Sequence, residues 1–297
     1  MPKVSTYPYS GYSESFCIIN SWAVLEPSTK YVIKKSLGKQ MTKIIKIELE
    51  WKYTPENYFE DPIDLKFDGG HIKIQNGIVN AIIDPVVYDS KASMTNDLNE
   101  LIKSRFFAMQ LLTHREFSIS DAPARTDFRE DGTKNYHIMI EPAVIKMSAE
   151  PIDIIVKDRY GNVISDSRKE RKDLDEHFIS LVGKYITKDT LLFKMILSYN
   201  KSVNDPENEL IHLYEIRDAL NEFFGSQTIA IAKLGISNNE WNELGKLANS
   251  IPVKQGRHRG KSLSELRNAD NEELDRARKC GVKLISKYLM YLENNVT

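Results

Sequence analysis

The residues best suited to chemistry lie in Lys254-Gln-Gly-Arg-His-Arg-Gly-Lys261, which holds four cations, one histidine and two glycines in eight positions, and no acid. Arginine forks match phosphate oxygens bidentately, glycines let backbone N–H groups approach an anion, and a histidine exchanges protons near neutral pH. The stretch is therefore expected to be a loop that binds phosphate through Lys254, Arg257, Arg259 and Lys261. The competing reading is a solvated basic turn whose arginines pair with Glu240, Glu243 or Glu272. A catalytic version uses the same residues. Metal-independent RNA cleavage needs a base for the 2′-hydroxyl proton and cations that hold the phosphate as charge builds. His258 would be that acid/base and Arg257 its clamp, with like charge from Arg257 and Arg259 disfavouring the imidazolium. Upstream, His212-Leu-Tyr-Glu-Ile-Arg-Asp218 sets His212 against Glu215 and Tyr214 against Asp218 at helical spacing. His212, Tyr214 and Arg217 are thus candidate supporting residues, weighed against ordinary intrahelical bonding.

Other chemistries find less support. A restriction-type nuclease core needs an acid and then acid-x-Lys on a strand, to hold a metal and assist the attacking water. Glu50-Trp-Lys52 and Asp64-Leu-Lys66 supply the second half, with Glu60 or Asp61 for the first, but alternating Lys/Glu strands generate such triplets freely. Arg171 and His177 have the Arg-to-His spacing of HEPN-type ribonucleases. With 13 arginines and 6 histidines in the chain, roughly one such match arises by chance, so it carries no weight. There is no Walker loop, Gly-x-Ser-x-Gly or His-Glu-x-x-His, and the histidines stand singly. No metal and no cofactor are expected. Residues 226–247, SQTIAIAKLGISNNEWNELGKL, have the pattern of a helix-turn-helix. Gly235 is in the turn, Trp241 and Leu244 face inward, and Asn238, Asn239, Asn242 and Lys246 face outward. Glu240 and Glu243 would then lie near DNA phosphates, which counts against this DNA-binding alternative.

The elements that must position these residues follow from periodicity. All the arginines fall between Arg105 and Arg278, and the first hundred residues are rich in Lys, Ile and Tyr. Ile44–Trp51 alternates apolar and charged residues, as a strand with one wet face does. Ile63–Phe67, His71–Gln75 and Ile78–Ile83 behave alike, with turns at Asp68-Gly69-Gly70 and at Asn76-Gly77, a type I′ dipeptide. A helix capped at Asn96 or Asp97 then carries Leu98, Leu101, Ile102, Phe106, Met109 and Leu112 at helical spacing. Strands are expected to resume at Glu116–Ile119 and Tyr136–Met147, followed by a hairpin around Arg159-Tyr160-Gly161-Asn162. Residues 166–177 carry nine formal charges in twelve positions and read as the solvated start of a helix, because Leu174, Phe178, Leu181 and Val182 continue at helical spacing. Helices are expected at Thr190–Tyr199, Glu207–Phe224, Gln227–Leu234, Asn238–Asn249, which opens on a Ser237/Glu240 capping box, and Asn271–Glu293. The fold class is α+β: a mainly antiparallel β domain over residues 1–164 with one inserted helix, then an α-helical bundle domain over residues 165–297.

The stretches DGGHIKIQNGIVNAIIDPVVYD, FFAMQLLTHREF, DRYGNVISDSRKER, NELIHLYEIRDAL and LGISNNEWNELGKLAN, followed by QGRHRGK, resemble a group of uncharacterised bacterial proteins of about this length. The resemblance spans nearly the whole chain and implies one intact two-part unit; it implies no activity. A HEPN-like bundle enters only as a fold-level analogy.

Composition narrows the function classes. Lys plus Arg is 41 and Asp plus Glu is 42, a formal charge of −1, which excludes a wholly basic nucleic-acid binder and an acidic solvating tail. Cys17 and Cys280 offer no disulfide framework, the N-terminus has no apolar stretch of signal-peptide length, and no run approaches a membrane span. The chain is expected to be a cytoplasmic bacterial protein with no membrane partner. It would engage RNA, or another phosphate-rich ligand, through the basic loop while the β domain recognises a partner. The alternative from another class is a non-catalytic interaction subunit whose basic loop docks an acidic protein surface.

Overall fold

The computed structural model describes residues 42–137, 155–157, 163–257, 259 and 265–295. Within them an antiparallel sheet precedes a set of helices, the α+β arrangement expected from the change of period. The sheet runs β2 (Ile63–Phe67), β3 (Gly70–Gln75), β4 (Ile78–Ile83), β1 (Ile44–Thr54), β6 (Ala124–Arg129) and β7 (Lys134–His137), with the short β5 (Ser118–Ile119) also pairing with β1. Central β1 registers Leu49 opposite Ala81 and Arg125, so its odd-numbered apolar residues share one face with those of β4. Asn76 and Gly77 both take positive φ, 50° and 77°, which is the turn their sequence dictates between β3 and β4.

Helix α2 (Met94–Thr113) covers the apolar face. Ile47, Ile72, Ile74, Val79, Ala81, Ile102 and Phe106 are all fully buried there. Tyr58 stacks on Phe106 with ring centroids 5.3 Å apart and donates its hydroxyl to the Phe106 carbonyl at 3.0 Å. Burying such a ring stabilises the fold by about 2–3 kcal/mol. The helix begins at Met94 rather than after an Asn96 or Asp97 cap. Asp97 is already in its first turn, where it accepts the Ser93 hydroxyl at 3.3 Å and pairs with Lys91. A short helix that periodicity missed, α1 (Pro85–Ser90), precedes it; Asp84 caps it by accepting from the Val86 and Val87 N–H groups, and Pro85 occupies its first turn. Strand β6 also escaped the sequence pattern, because its covered face carries the Arg125–Asp127 ion pair (2.7 Å) where an apolar alternation would normally be.

Strands β8 (Ile155–Lys157) and β9 (Val163–Asp166) pair antiparallel, as expected of the second hairpin, whose turn lies outside the described residues. So does all but the start of the strand expected over Tyr136–Met147. The chain is then helical: α3 (Ser167–Tyr185), α4 (Thr190–Asn204), a 3-10 turn Pro206–Asn208, α5 (Glu209–Phe224), α6 (Gln227–Leu234), α7 (Asn238–Gly245) and α8 (Asn271–Asn295). The highly charged segment does open α3, capped by Asp166 accepting from the Lys169 N–H at 3.1 Å. Helix α7 is shorter than expected: after Gly245 the chain widens into a π turn, Lys246–Ser250, and the Ala248 carbonyl is taken by the Arg257 N–H at 2.8 Å. A second core, including Leu213, Ile216, Leu220, Trp241, Leu244, Ile285 and Leu289, lies among these helices, and α2 contributes Ala108 and Leu111 to it.

Candidate functional site

The basic loop lies along α5 and is braced by its own backbone. Lys254 N–H bonds the Arg267 carbonyl (2.9 Å), Gly256 N–H bonds the Val253 carbonyl (3.1 Å), and the Gln255 side chain accepts from Ala269 N–H (2.9 Å). Two arginines then fasten it, one to α5 and one to the 3-10 turn before it. Arg257 lies over the Tyr214 ring, 4.3 Å from its centroid, and donates to Asp218 at 3.1 Å. Arg259 donates to the Gly256 carbonyl (3.2 Å), to the Glu207 carbonyl (2.9 Å) and to the Asn208 side chain. Of the partners expected for a bland turn, Glu240, Glu243 or Glu272, the first two are instead paired with Lys283 and Arg276 of α8. Lys254 is exposed; His258 and Lys261 lie outside the described residues.

The structure ties each proposed supporting residue to one of these arginines. Tyr214 is buried and presents its ring to Arg257, while its hydroxyl accepts from Arg217 at 2.9 Å. Arg217 reaches on to Gln227 (3.3 Å) and lies over the Trp241 ring at 5.3 Å. The side chain of Arg217 fills the space beside Gly245, where an added Cβ would sit 2.5 Å from its Nη1. His212 faces the other way. Its Nε2 is 3.0 Å from Asp205 Oδ2, which also accepts from Asn208 at 2.8 Å, so a hydrogen-bonded chain runs from His212 through Asp205 and Asn208 to Arg259. The hydrogen bond from His212 holds the Asp205 carboxyl below the usual carboxylate range. His212 and Tyr214 therefore serve opposite flanks of the loop.

These contacts leave the two arginines differently available. Arg259 has committed two of its three nitrogens, through three bonds; Arg257 has committed one bond, to an Asp218 that is itself half exposed, and keeps 37% of its side chain in solvent. A guanidinium already held over an aromatic ring loses little rotamer freedom when it takes an oxyanion.

The helix-turn-helix pattern is present as two helices with Gly235 in the left-handed conformation between them (φ 60°) and a complete Ser237/Glu240 capping box. Trp241 and Leu244 are fully buried; Asn238, Asn239, Asn242 and Lys246 are exposed. Both α6 and α7 pack chiefly on α5 and α8. The Lys283 contact and the cap hold the Glu240 carboxyl down at about 2. The nuclease-type acids Glu60 and Asp61 are engaged by Arg168, Arg171 and Lys172 of α3, and no cluster of three His, Cys, Asp or Glu suited to a metal occurs among the described residues.

A second polar cluster was not legible in the sequence. His114, left-handed (φ 50°) at the end of α2, sets Nδ1 3.2 Å from the Tyr199 hydroxyl and Nε2 3.5 Å from Glu209. Glu209, only 2% exposed, is gripped bidentately by Arg278 at 2.6 and 2.9 Å. Burial, and then the Arg278 charge, lower the His114 pKa to about 4, and burial raises that of Tyr199. The Glu209 carboxylate does not reverse this because its charge is already matched by Arg278. The four residues come from four helices, so no spacing rule connects them. No family model, curated protein or solved structure matches this chain.

Proposed function

We propose that the chain binds RNA, or another phosphate-rich ligand, through the loop that begins at Lys254 and includes Arg257 and Arg259. The observation that carries this reading is the posture of Arg257: it lies over the Tyr214 ring, among the described residues its guanidinium donates only to Asp218, and 37% of its side chain is exposed. A phosphate oxygen competes for the guanidinium with a single exposed carboxylate, an ion pair worth at most about 1 kcal/mol. Arg259 stiffens the loop from its other end through Asn208, and Lys254 adds charge beside it. A ligand held in this way binds by charge, so its affinity falls with salt.

The test is fluorescence anisotropy with a labelled RNA oligonucleotide across a salt series. Wild-type affinity is expected to fall steeply between about 50 and 200 mM salt. Arg257→Ala should weaken binding uniformly across RNA sequences and reduce the log–log salt slope by about 1, with little change in melting temperature because the Asp218 pair is exposed. Salt-insensitive binding, or equal affinity of Arg257→Ala and wild type, defeats the reading.

A further inference from the structure

Among the described residues, the face of the sheet opposite α2 carries a second set of cations beside an exposed aromatic ring. One row crosses all six strands of the main order in register: Lys66, His71, Ile82, Glu48, Thr126 and Tyr136. The next row toward the same end of the sheet is Lys46, Phe128 and Lys134. These side chains project from the face opposite α2, because side chains alternate along a strand and the intervening residues form the core. Lys66, His71 and Lys134 are exposed, and Tyr136 is 63% exposed.

Two features of this face go beyond a merely solvated one. The first is aromatic. Phe128 and Tyr136 are diagonal neighbours on adjacent strands, about 7 Å apart at Cα, and the Phe128 ring has the Lys46 and Lys134 ammonium groups 3.6 and 4.8 Å from its centroid. Phe128 gathers the two cations over its ring while Tyr136 beside it is exposed; an exposed ring next to held cations suits a base with its phosphate, and such stacking tolerates any sequence because every base has a π-face. The second is charge. Lys66 and His71 on β2 and β3, and Lys46 and Lys134 on β1 and β7, are spread along one end of the sheet, and the acid inside the two rows, Glu48, is occupied by Lys46 at 3.3 Å and by the Asn80 amide at 2.5 Å. At that end a groove of about 450 Å³ opens between Lys46, Lys66, His71, Ile82 and Asp84, whose carboxylate is taken up in capping α1. From Tyr136 on β7 to His71 on β3 is four strand spacings, about 19 Å, enough for several unstacked nucleotides.

We infer that this face is a single-stranded RNA platform, with Tyr136 stacking a base, Phe128 gathering Lys46 and Lys134 beside it, and Lys46, Lys66 and Lys134 holding phosphates. The inference rests on the reading of the chain as an RNA binder and specifies the form of RNA. A duplex buries its base faces and cannot use the Tyr136 ring, so the strand must be single.

The experiment compares a fluorescein-labelled oligouridine of about 12 nucleotides with a duplex of equal length, using the full chain. The single strand should bind at least about tenfold more tightly than the duplex, and Tyr136→Ala should weaken it by about tenfold at unchanged melting temperature. Lys66→Glu with Lys134→Glu should weaken it further and flatten its salt dependence. Wild-type affinity in Tyr136→Ala and in the charge-reversed variant, with Arg257→Ala still impaired, removes the platform and leaves the loop reading standing. The converse pattern supports the platform and removes the loop. Equal binding of the duplex overturns the platform, and no RNA binding by the wild type overturns both.

Discussion

His114 shows how a single side chain can couple burial to pH. Its hydrogen-bonding partner Tyr199 and the Glu209–Arg278 pair enclose it, and burial keeps it neutral with a pKa near 4. An unfolded chain offers an ordinary imidazole that titrates near pH 6.5. Between those values the unfolded state binds the extra proton, so stability falls as the pH drops from about 6.5 toward 4. After discounting for partial exposure, the lowered pKa costs almost nothing at neutral pH and destabilises the fold by up to about 2 kcal/mol once the pH has fallen to about 4. His114→Asn, which tolerates the left-handed backbone, should flatten the pH dependence of urea midpoints across that window. An unchanged slope would show that the proton is taken up elsewhere. The same residue-scale logic separates the loop's arginines. Arg259 is spent on Asn208 and two carbonyls, whereas Arg257 has a ring to rest on and donors to spare.

At the scale of elements, the turn between β2 and β3 is the most constrained joint. A Cβ added to Gly70 would lie 2.3 Å from the Ile82 carbonyl oxygen and 2.5 Å from the Phe67 ring. The first of these is backbone and cannot rotate away without breaking the β3–β4 ladder. Gly70→Ala is expected to cost about 2 kcal/mol or more, read as a fall in the thermal midpoint; a neutral substitution would show that the strands are not that close. The helical elements are fixed by different means. Capping by Asp84, Asp166, Asp189, Ser226 and Ser237 sets where helices start. The π turn after α7 sets where the basic loop departs, since the Ala248 carbonyl becomes the acceptor for Arg257 N–H.

For the described part of the molecule as a whole, α2 is the link. Leu98, Ile102 and Phe106 belong to the sheet core, and Ala108 and Leu111 belong to the helical core. Charged contacts reinforce it: Arg105 with Glu176, and Arg168, Arg171 and Lys172 with Glu60 and Asp61. Neither core can open without uncovering one end of α2, so the two are expected to unfold together. Hydrogen exchange read by mass spectrometry through a urea series should show β4 and α8 losing protection at the same denaturant concentration. Two separate steps would mean that the sheet and the helices are independent folding units.

Much of this architecture was legible because short-range physics decides it. The alternation in Ile63–Phe67 and Ile78–Ile83, the Asn76-Gly77 turn, the Ser237 capping box and the helical spacing in Gln227–Leu234 each depend on a few neighbouring residues, and all appear where the sequence places them. The failures share the opposite property. Strand β6 carries a charged pair on its covered face because Arg125 and Asp127 satisfy one another only once β1 and Tyr88 are in place. The basic loop could be recognised as basic, but whether each arginine faced solvent or protein was decided by α5 and the 3-10 turn before it, some forty to fifty residues earlier in the sequence. The His114–Tyr199–Glu209–Arg278 cluster joins four helices, and Lys46 reaches the Phe128 ring from more than eighty residues away in the sequence. Local propensity is a property of neighbours in sequence and can be read there. Pairing of charges and rings across elements is a property of neighbours in space, and only the tertiary structure supplies those.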